Sequence, residues 1–249
     1  MSPDCSTRAR RLRFRLQQRY RLTDEALRVG PLTLPFTRIA SPDEVLDDVI
    51  AVESALSEIG DERALEALMP PYWAELWDSS FGVAELLARR GWALFGGCFA
   101  GAAAPRPRVL DLGCGMGLTG LVAATLDARV LLADIEPAAL LLARLNTIRF
   151  ARFVRARRVD WRRDRLRERF DVILGADVLY ERSQWDFLEP FFRAHLQPGG
   201  AVLLGEPGRP SGDSFASWIA ARGWRWRCLE QPVPTHQRPI RLFLVSPER

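Results

Sequence analysis

The sequence predicts a doubly wound α/β fold with a seven-strand, mostly parallel sheet and an N-terminal α+β extension. The length of 249 residues suits one α/β domain with a modest appendage, and an apolar fraction of 48% can build a sizeable core. From Arg108 onward, strand-like apolar runs alternate with helix-like segments, which is the pattern of parallel βαβ units. A glycine-rich turn at Gly113–Gly117 follows the first run and opens a helix, as at the ligand-binding edge of such sheets.

The first 70 residues contain the elements of the predicted extension. Residues 27–39 are expected to form two short β-segments around a turn at Gly30-Pro31. Ser41–Glu44 (SPDE) has the pattern of a capping box with proline at the first helical position. A helix is therefore expected from this point to about Ser57.

A break and a linker separate the extension from the alternating segments. Pro70-Pro71 interrupts the chain, and residues 79–90 then show helical periodicity. Residues 96–107 (GGCFAGAAAPRP) are expected to form a linker of small residues that ends in prolines. The prediction therefore divides the chain into an N-terminal extension, residues 1–70, and a second domain, residues 71–249.

The second domain is expected to supply the whole sheet. Crossovers join the first six strands, and the turn-rich segment 231–239 leads into the seventh. We expect the strands near 108–112, 129–134, 154–159, 171–176, 201–205, 224–229 and 239–245, and helices near 118–126, 137–148, 184–196 and 213–222.

The charges are segregated along the chain. All 35 basic residues are arginine, which is typical of codon bias in a GC-rich genome, and the formal net charge is +4. Residues 8–21 carry seven arginines and no acid, and residues 149–169 carry ten arginines, whereas residues 43–66 carry nine acids and one arginine. Such basic stripes can bind nucleic acid. They can also be the solvated faces of helices.

Composition argues for a cytoplasmic protein without a metal site. No stretch approaches the roughly 18 apolar residues that span a bilayer, so no membrane partner is expected. The arginine-rich start could alternatively be an organelle transit peptide. The four cysteines are far apart and form no CxxC pair, which argues against a zinc site or a disulfide framework: Cys5, Cys98, Cys114 and Cys228.

The glycine-rich turn has the pattern D-x-G-x-G-x-G, from Asp111 to Gly117. Glycines allow a sharp turn and a close ligand, and free N–H groups at the helix start suit a carboxylate. Gly115, Gly117 and Gly120 also match the dinucleotide pattern G-x-G-x-x-G. However, a carboxylate at the strand end would repel a pyrophosphate, whereas it suits an ammonium group. The turn therefore favours S-adenosylmethionine over NAD.

Asp134 ends the second strand of the predicted sheet, at Val130–Asp134. A carboxylate at this position can accept hydrogen bonds from both ribose hydroxyls of a nucleoside cofactor. The alternative is that Asp134 caps the helix that begins near Pro137. Because strand carboxyl ends share one edge, Asp111 and Asp134 are expected to face the same ligand.

Five blocks of the sequence together resemble a known family. They cover roughly residues 70–245, and four of them add specificity to the glycine turn. The blocks are Pro71–Trp77 (PYWAELW), Asp111–Gly117, Asp160-Trp161, Ala176–Tyr180 (ADVLY) and Gly205–Arg209 (GEPGR). At these blocks the chain resembles the class I seven-strand, Rossmann-like protein methyltransferases that use S-adenosylmethionine. This family includes the electron-transfer flavoprotein β lysine methyltransferase group, to which the chain is similar in its Asp-x-x-Tyr motif.

The resemblance implies roles for particular residues. Asp177 and Tyr180 would face the methyl acceptor as the catalytic pair. The chain departs from the family at Asp78, where proline is usual, and in the longer connection 91–107. With Asp111 assigned from its chemistry as above, the expected cofactor-binding residues are Trp77, Asp111, Gly113, Cys114, Gly115, Gly117, Asp134, Asp160, Trp161 and Ala176.

The resemblance implies an N-methyltransferase that uses S-adenosylmethionine and acts on protein lysine. Asp177 would orient the amine, since a carboxylate stabilises the ammonium form and cannot by itself favour deprotonation. A small amine and an RNA base stay open as acceptors, and a non-catalytic partner-binding protein is a third alternative. RNA enzymes that act on base amines carry prolines where this chain has Asp177–Tyr180, and arginines should flank the mouth beside Tyr180 if RNA is the substrate.

Overall fold

The computed structural model describes residues 3–96 and 105–248. The chain begins with helix α1 (Pro3–Gln17) and an antiparallel hairpin of β1 (Leu22–Val29) and β2 (Leu32–Ile39). The hairpin confirms the two predicted β-segments, although β1 starts five residues before the expected position 27. Its first half carries charged residues that pair across the strands, as Glu25 does with Arg38, rather than the apolar alternation of a typical strand.

Helix α2 (Pro42–Ile59) follows the hairpin, and the short helix α3 (Glu62–Ala67) follows α2. The predicted helix and its leading proline are confirmed, but the predicted capping box is wrong. Ser41 makes no side-chain cap hydrogen bond, and the Glu44 carboxylate pairs with Arg21 at the start of the hairpin instead of turning back to Ser41. The helix ends at Gly60 in a left-handed conformation.

Helix α4 (Asp78–Arg90) precedes the central sheet and packs against several of its strands. The strands of this sheet are β3 (Arg108–Leu112), β4 (Arg129–Asp134), β5 (Val154–Arg158), β6 (Phe170–Ala176), β7 (Leu196–Glu206), β8 (Trp224–Gln231) and β9 (Ile240–Pro247). The helices between them are α5 (Leu118–Thr125), α6 (Pro137–Asn146), α7 (Trp185–His195) and α8 (Pro210–Ala220).

The seven strands lie in the order β5-β4-β3-β6-β7-β9-β8. All neighbouring pairs from β5 to β7 are parallel, and β9 is antiparallel to both β7 and β8. The order reverses between β3 and β6, which makes a crevice at the carboxyl ends of these strands. The predicted fold class, a doubly wound and mostly parallel seven-strand sheet, is confirmed.

The main departure within the sheet is the length of β7, which begins at Leu196 rather than near 201. Its pairing with β6 shifts register between Phe170 and Val172, so the early part of β7 is irregular. Most of the expected linker at 96–107, with Cys98, falls on residues 97–104, which lie outside the described residues.

The N-terminal elements pack on the glycine-turn side of the sheet. Leu16 of α1 and Phe36 of β2 are buried in the same apolar cluster as residues of α5 and α6. The buried Asn146 at the end of α6 links the two regions, because its amide donates to the carbonyls of Thr37 and Met116 and accepts from the N–H of Thr37. The hairpin thus supports the turn that contains Met116. The division of the chain into an extension and a second domain at residue 70 stays a prediction.

Two further findings concern the described residues alone. No helix in this part of the chain is long and apolar enough to cross a membrane. Within the same residues, no group of three or more His, Cys, Asp or Glu side chains could hold a metal ion.

Candidate active site

A cavity of about 260 Å³ opens at the carboxyl ends of β3, β4 and β6, where the strand order reverses. Its walls come from the glycine turn after β3, the ends of β4 and β6, the loop after β5 and the segment before α4. Arg209 reaches it from the turn after β7. The crevice therefore gathers residues from separate parts of the chain at one edge of the sheet.

The glycine turn is shaped by close contacts behind it. Gly113 has φ of 65°, and a Cβ there would lie 2.9 Å from Cγ1 of Val178. Gly117 has φ of 86°, and a Cβ there would lie 2.8 Å from Cβ of Ala143. Both positions therefore require glycine, for the left-handed backbone and for the space. Gly115 instead faces the cavity, with only the carbonyl of Trp73 within 4 Å of a built Cβ.

Asp111 is enclosed beneath the turn and does not line the cavity. Its carboxylate accepts hydrogen bonds from the Thr119 hydroxyl at 2.6 Å and the Gly120 N–H at 2.8 Å. Burial raises the pKa of the Asp111 carboxyl to about 7, although both hydrogen bonds oppose this rise. These hydrogen bonds hold the start of α5. The expected contact between Asp111 and the ammonium group of the cofactor stays a prediction, which this geometry does not support.

Asp134 lines the cavity and holds the turn at the same time. One carboxylate oxygen accepts from the N–H of Gly115 at 2.8 Å, and the other accepts from the N–H of Glu136 at 2.9 Å. Burial raises the pKa of the Asp134 carboxyl, and these two N–H groups oppose the rise. Each oxygen keeps a lone pair for a further donor, so the structural bonds leave room for ligand hydroxyls.

Aromatic rings form much of the mouth. Tyr72 and Tyr180 meet edge to face with centroids 5.6 Å apart, and Trp77 donates its ring N–H to the Tyr72 carbonyl at 2.8 Å. Trp161 also lines the cavity and donates its ring N–H to the Gln184 side chain at 3.2 Å. Burial raises the pKa of the Tyr180 hydroxyl, which keeps it protonated.

Asp160 does not line the cavity, unlike the Trp161 that follows it. Its carboxylate accepts hydrogen bonds from the backbone N–H and the guanidinium of Arg162, with distances of 2.9–3.0 Å. These bonds lower the pKa of the Asp160 carboxyl. Its expected cofactor contact therefore stays a prediction, and the observed bonds order the loop that presents Trp161.

Asp177 lies at the mouth and is paired with Arg209. The two side chains form a two-pronged ion pair, and the Asp177 side chain is 8% exposed. Burial raises the pKa of the Asp177 carboxyl, and Arg209 opposes the rise. Asp177 has φ of 59°, a left-handed conformation that Asp and Asn tolerate better than most residues. Its N–H donates to the Gly205 carbonyl at 2.9 Å, which joins the ends of β6 and β7.

Arg209 is a site residue that the sequence analysis did not single out. Its guanidinium also lies 5.8 Å from the Trp77 ring centroid. The signal for Arg209 in the sequence is its place at the end of the Gly205–Arg209 block of the family resemblance. Because Asp177 and Arg209 are 32 positions apart, no local pattern could reveal their pairing.

A buried carboxylate holds the turn that carries Arg209. Glu206 is 2% exposed, and it accepts from the N–H groups of Gly208 and Arg209 at 3.0 and 2.9 Å. Arg241 of β9 pairs with Glu206 and donates to the Arg209 carbonyl at 2.9 Å. The backbone of Arg209 is thus fixed from both sides.

The structure brings most of the predicted site residues to one cavity, with the exception of Asp111 and Asp160. The cavity is lined by Trp77, Gly113, Cys114, Gly115, Gly117, Asp134, Trp161, Ala176, Asp177 and Tyr180. This placement brings the residues together, while the role of each stays a prediction.

A sequence model described as lysine methyltransferase matches residues 72–216, more than half of the chain. The chain belongs to the lysine methyltransferase family. The matched region contains the glycine turn, the aromatic mouth and the Asp177–Arg209 pair. A search of curated proteins found no match.

Solved structures support the fold. Ribosomal protein L11 methylase from Lactobacillus delbrueckii subsp. bulgaricus is 20% identical, with a TM-score of 0.51 over 70% of this chain and 81% of that chain. The glycopeptide N-methyltransferase MtfA complexed with S-adenosylmethionine is 15% identical, with a TM-score of 0.52 over 67% and 94%. A putative RNA methyltransferase from Pyrococcus horikoshii is 16% identical, with a TM-score of 0.53 over 73% and 92%.

These findings establish the class of enzyme. The protein is a methyltransferase that uses S-adenosylmethionine, with the Rossmann-like fold of its class. The structural neighbours are named for protein, glycopeptide and RNA methylation, so the likeness of fold leaves the acceptor open.

Proposed function

We propose that the protein transfers a methyl group to the side-chain amine of a lysine in a protein substrate. The observation that carries this proposal is the mouth of the cavity, where the Asp177–Arg209 pair lies beside the rings of Tyr72 and Tyr180. The family description points to the same acceptor. The proposal also includes membership of the electron-transfer flavoprotein β lysine methyltransferase group and a cytoplasmic location.

In the proposed complex, the cofactor lies against the glycine turn. The free lone pairs of Asp134 would accept the ribose hydroxyls, and the N–H groups at the start of α5 would face the carboxylate of the methionine part. Trp161 would contact the adenine, with Asp160 ordering its loop. The bound cofactor supplies an electrophilic methyl group on a sulfonium. Asp111 would hold the turn in place from below.

The aromatic mouth suits a lysine side chain. Tyr72 is 48% exposed and Tyr180 is partly buried beside it, so their rings can flank the aliphatic stem of a lysine. Such rings would also exclude water from the reacting amine, which an in-line methyl transfer requires. The pocket therefore binds the stem and leaves the amine directed at the cofactor.

The pairing of Asp177 with Arg209 determines how Asp177 affects the protonation of the lysine amine. A free carboxylate would hold the lysine as an ammonium ion, which cannot attack the methyl group. Paired with Arg209, Asp177 belongs to a neutral unit whose remaining lone pairs can still accept an N–H from the amine. A sulfonium about 4 Å away, at an effective dielectric constant near 20, lowers the amine pKa by about three units. The neutral amine is then accessible near neutral pH.

The distribution of arginines disfavours RNA as the acceptor. Among the described residues, Arg209 is the one arginine that lines the cavity, and its guanidinium is engaged by Asp177. An RNA substrate would need free cations at this mouth to hold its phosphates. Among the described residues, no contact at the mouth of the cavity favours a base amine or a free small amine as the methyl acceptor.

The test is to label a lysate of the source cells with methyl-radiolabelled S-adenosylmethionine and the purified enzyme. We expect label that protease removes, that nuclease leaves, and that acid hydrolysis recovers as methylated lysine. Asp177→Asn should abolish this label, because asparagine keeps the left-handed backbone but removes the charge that holds Arg209. Asp47→Asn on the exposed face of α2 is the matched control and should label normally. Label in RNA or in small molecules would overturn the proposal.

A further inference from the structure

The amino-terminal edge of the sheet, opposite the crevice, carries two further cavities. One, of about 590 Å³, lies at the starts of β3, β4, β5 and β6 and is lined by Arg108, Arg129, Arg152 and Arg155. The other, of about 640 Å³, lies at the starts of β7 and β8 and the end of β9. It is lined by Arg169, Arg193, Arg225 and Arg227. Arg169 lines the second cavity, and the next residue, Phe170, lines the first. The two cavities therefore form one continuous surface, here called the arginine edge.

Most charges of the arginine edge are unpaired. Arg155 pairs with Glu168 at 3.0 Å, and Arg193 pairs with Glu189 at 2.6 Å. For the other six arginines, no ion pair occurs with any acid of the described residues. Glu248 is the one acid among the described residues that line the two cavities. Like charges at this density repel one another unless an anion lies between them.

Three arginines are especially open to a ligand. Arg129, Arg152 and Arg225 are exposed, and their guanidinium groups have no hydrogen-bond partner among residues 3–96 and 105–248. Arg129 and Arg152 belong to the first cavity and Arg225 to the second, so free cations occur at both ends of the edge. Their separation suits an extended anion better than a single phosphate.

Aromatic rings lie among these arginines. Trp226 is 44% exposed and follows Arg225 on the edge strand β8. Phe153 lines the first cavity and is partly buried, with the Arg106 guanidinium 4.0 Å and the Arg152 guanidinium 5.7 Å from its ring centroid. Cationic grooves that contain exposed aromatic rings are typical of proteins that bind single-stranded nucleic acid, because phosphates meet the cations and bases stack on the rings.

We propose that the arginine edge binds single-stranded RNA as an anchor that is separate from methyl transfer. Six steps between seven strands, at about 4.8 Å each, give the edge a span of roughly 29 Å, long enough for several nucleotides. Along β3, the rise from Arg108 to Leu112 is about 13 Å, so RNA on this edge lies far beyond the contact distance of a methyl transfer. The anchor would hold the enzyme on RNA while the crevice acts on its own acceptor.

The test measures the fluorescence anisotropy of a labelled poly(U) RNA of about 20 nucleotides with the full chain, from about 50 to about 200 mM NaCl. The edge variant Arg129→Gln/Arg152→Gln/Arg225→Gln should bind at least about tenfold more weakly. The slope of log affinity against log salt should fall by about 2, because each lost phosphate contact contributes about 0.7. Methylation of the lysate acceptor should not change.

A matched variant controls for net charge. Arg10→Gln/Arg11→Gln/Arg19→Gln removes the same charge from exposed positions of α1 and the turn after it. We expect this variant to bind RNA within about threefold of the unchanged protein. An equal loss in both triple variants, or no RNA binding by the unchanged protein at the lower salt, would overturn the proposal.

A second variant separates RNA from other polyanions. Trp226→Ala should weaken RNA binding by about tenfold, because it removes a stacking platform. The same variant should bind inorganic polyphosphate as the unchanged protein does. If both ligands lose affinity equally, or neither does, the edge is a general anion surface and the assignment to RNA is wrong. Unchanged thermal melting of each variant keeps the comparison valid.

Discussion

Replacing Asp111 with asparagine tests the role of the carboxylate beneath the glycine turn. The introduced amide has the same shape, and its oxygen can accept from the Gly120 N–H as the carboxylate does at 2.8 Å. Its NH₂ group can donate to the Thr119 hydroxyl, which now donates to Asp111 at 2.6 Å. Asp111→Asn therefore keeps both hydrogen bonds and removes only the buried charge.

The size of the effect follows from the pKa of Asp111, which burial raises from 3.8 to about 7. The folded chain thus holds this proton more tightly than the unfolded chain does. The contribution to stability is fully present below pH 3.8, falls as the pH rises, and is lost above about pH 7. A difference of about 3 units corresponds to about 4 kcal/mol. For a chain of this size, that is about 8–16 °C in Tm.

The assay is urea unfolding of both proteins from pH 4 to pH 8. We expect Asp111→Asn to be more stable than the unchanged protein at pH 8, with an advantage about 4 kcal/mol larger than at pH 4. Cofactor affinity, measured by calorimetry, should stay within about threefold. A stability difference that does not depend on pH would refute the reasoning about burial. A large loss of cofactor affinity would instead support the ammonium contact expected from the sequence.

Three further predictions concern two residues of the crevice wall and a glycine of α5 behind it. Arg209→Gln should destabilise the fold by about 3 kcal/mol in thermal unfolding, because it leaves the Asp177 carboxylate buried without its partner. Adding Asp177→Asn should recover most of this loss, whereas additive effects would contradict the pairing. Asp134→Asn should weaken cofactor binding by about 1.5–3 kcal/mol in calorimetry, and unchanged affinity would make Asp134 purely structural. Gly120→Ala should cost about 1–3 kcal/mol in urea unfolding, because its Cβ would lie 2.3 Å from Cδ2 of Leu132.

The central strands β3, β4 and β6 were predictable because they are buried on both faces. Parallel strands of this kind have nearly continuous apolar sequences, such as Val130–Ala133, and β3 is also flanked by Pro107 and Gly113. Helix α1 was not predicted, since Leu12 and Leu16 are its only buried apolar residues among those with described side chains. Its remaining surface is dominated by arginine, and helical periodicity needs more than one such pair to be recognised.

Site residues could be predicted where their position at the end of a strand brings them to the crevice. They could not be predicted where the direction of the side chain decides what it contacts. Gly113, Asp134 and Asp177 each follow or end a strand, and the parallel sheet brings such positions to one edge. By contrast, Asp111 also stands near a strand end but bonds to α5 behind the turn. A sequence pattern indicates the position of a carboxylate along a strand. It does not determine whether the carboxylate faces the cavity or bonds to the helix behind the turn.

The pairing of Asp177 with Arg209 bears on which form of the amine the proposed reaction uses. A lysine ammonium ion would be a third positive charge, beside the sulfonium and Arg209, with one carboxylate among them. Arg209 offsets the attraction that the Asp177 carboxylate alone would exert on the ammonium ion, so the repulsion by the sulfonium, about 4 kcal/mol at about 4 Å and an effective dielectric constant near 20, is left unbalanced.

The neutral amine avoids this repulsion, so turnover should rise with pH until the bound lysine is deprotonated. Arg209→Gln leaves Asp177 as an unpaired carboxylate, which stabilises the ammonium form and raises the amine pKa. The pH dependence of kcat for this variant should therefore shift to higher pH in assays on a lysine-containing substrate protein. Arg209→Lys keeps the positive charge and serves as the matched control. If the curve of Arg209→Gln coincides with that of Arg209→Lys, Arg209 does not govern the protonation of the acceptor and acts only on the fold.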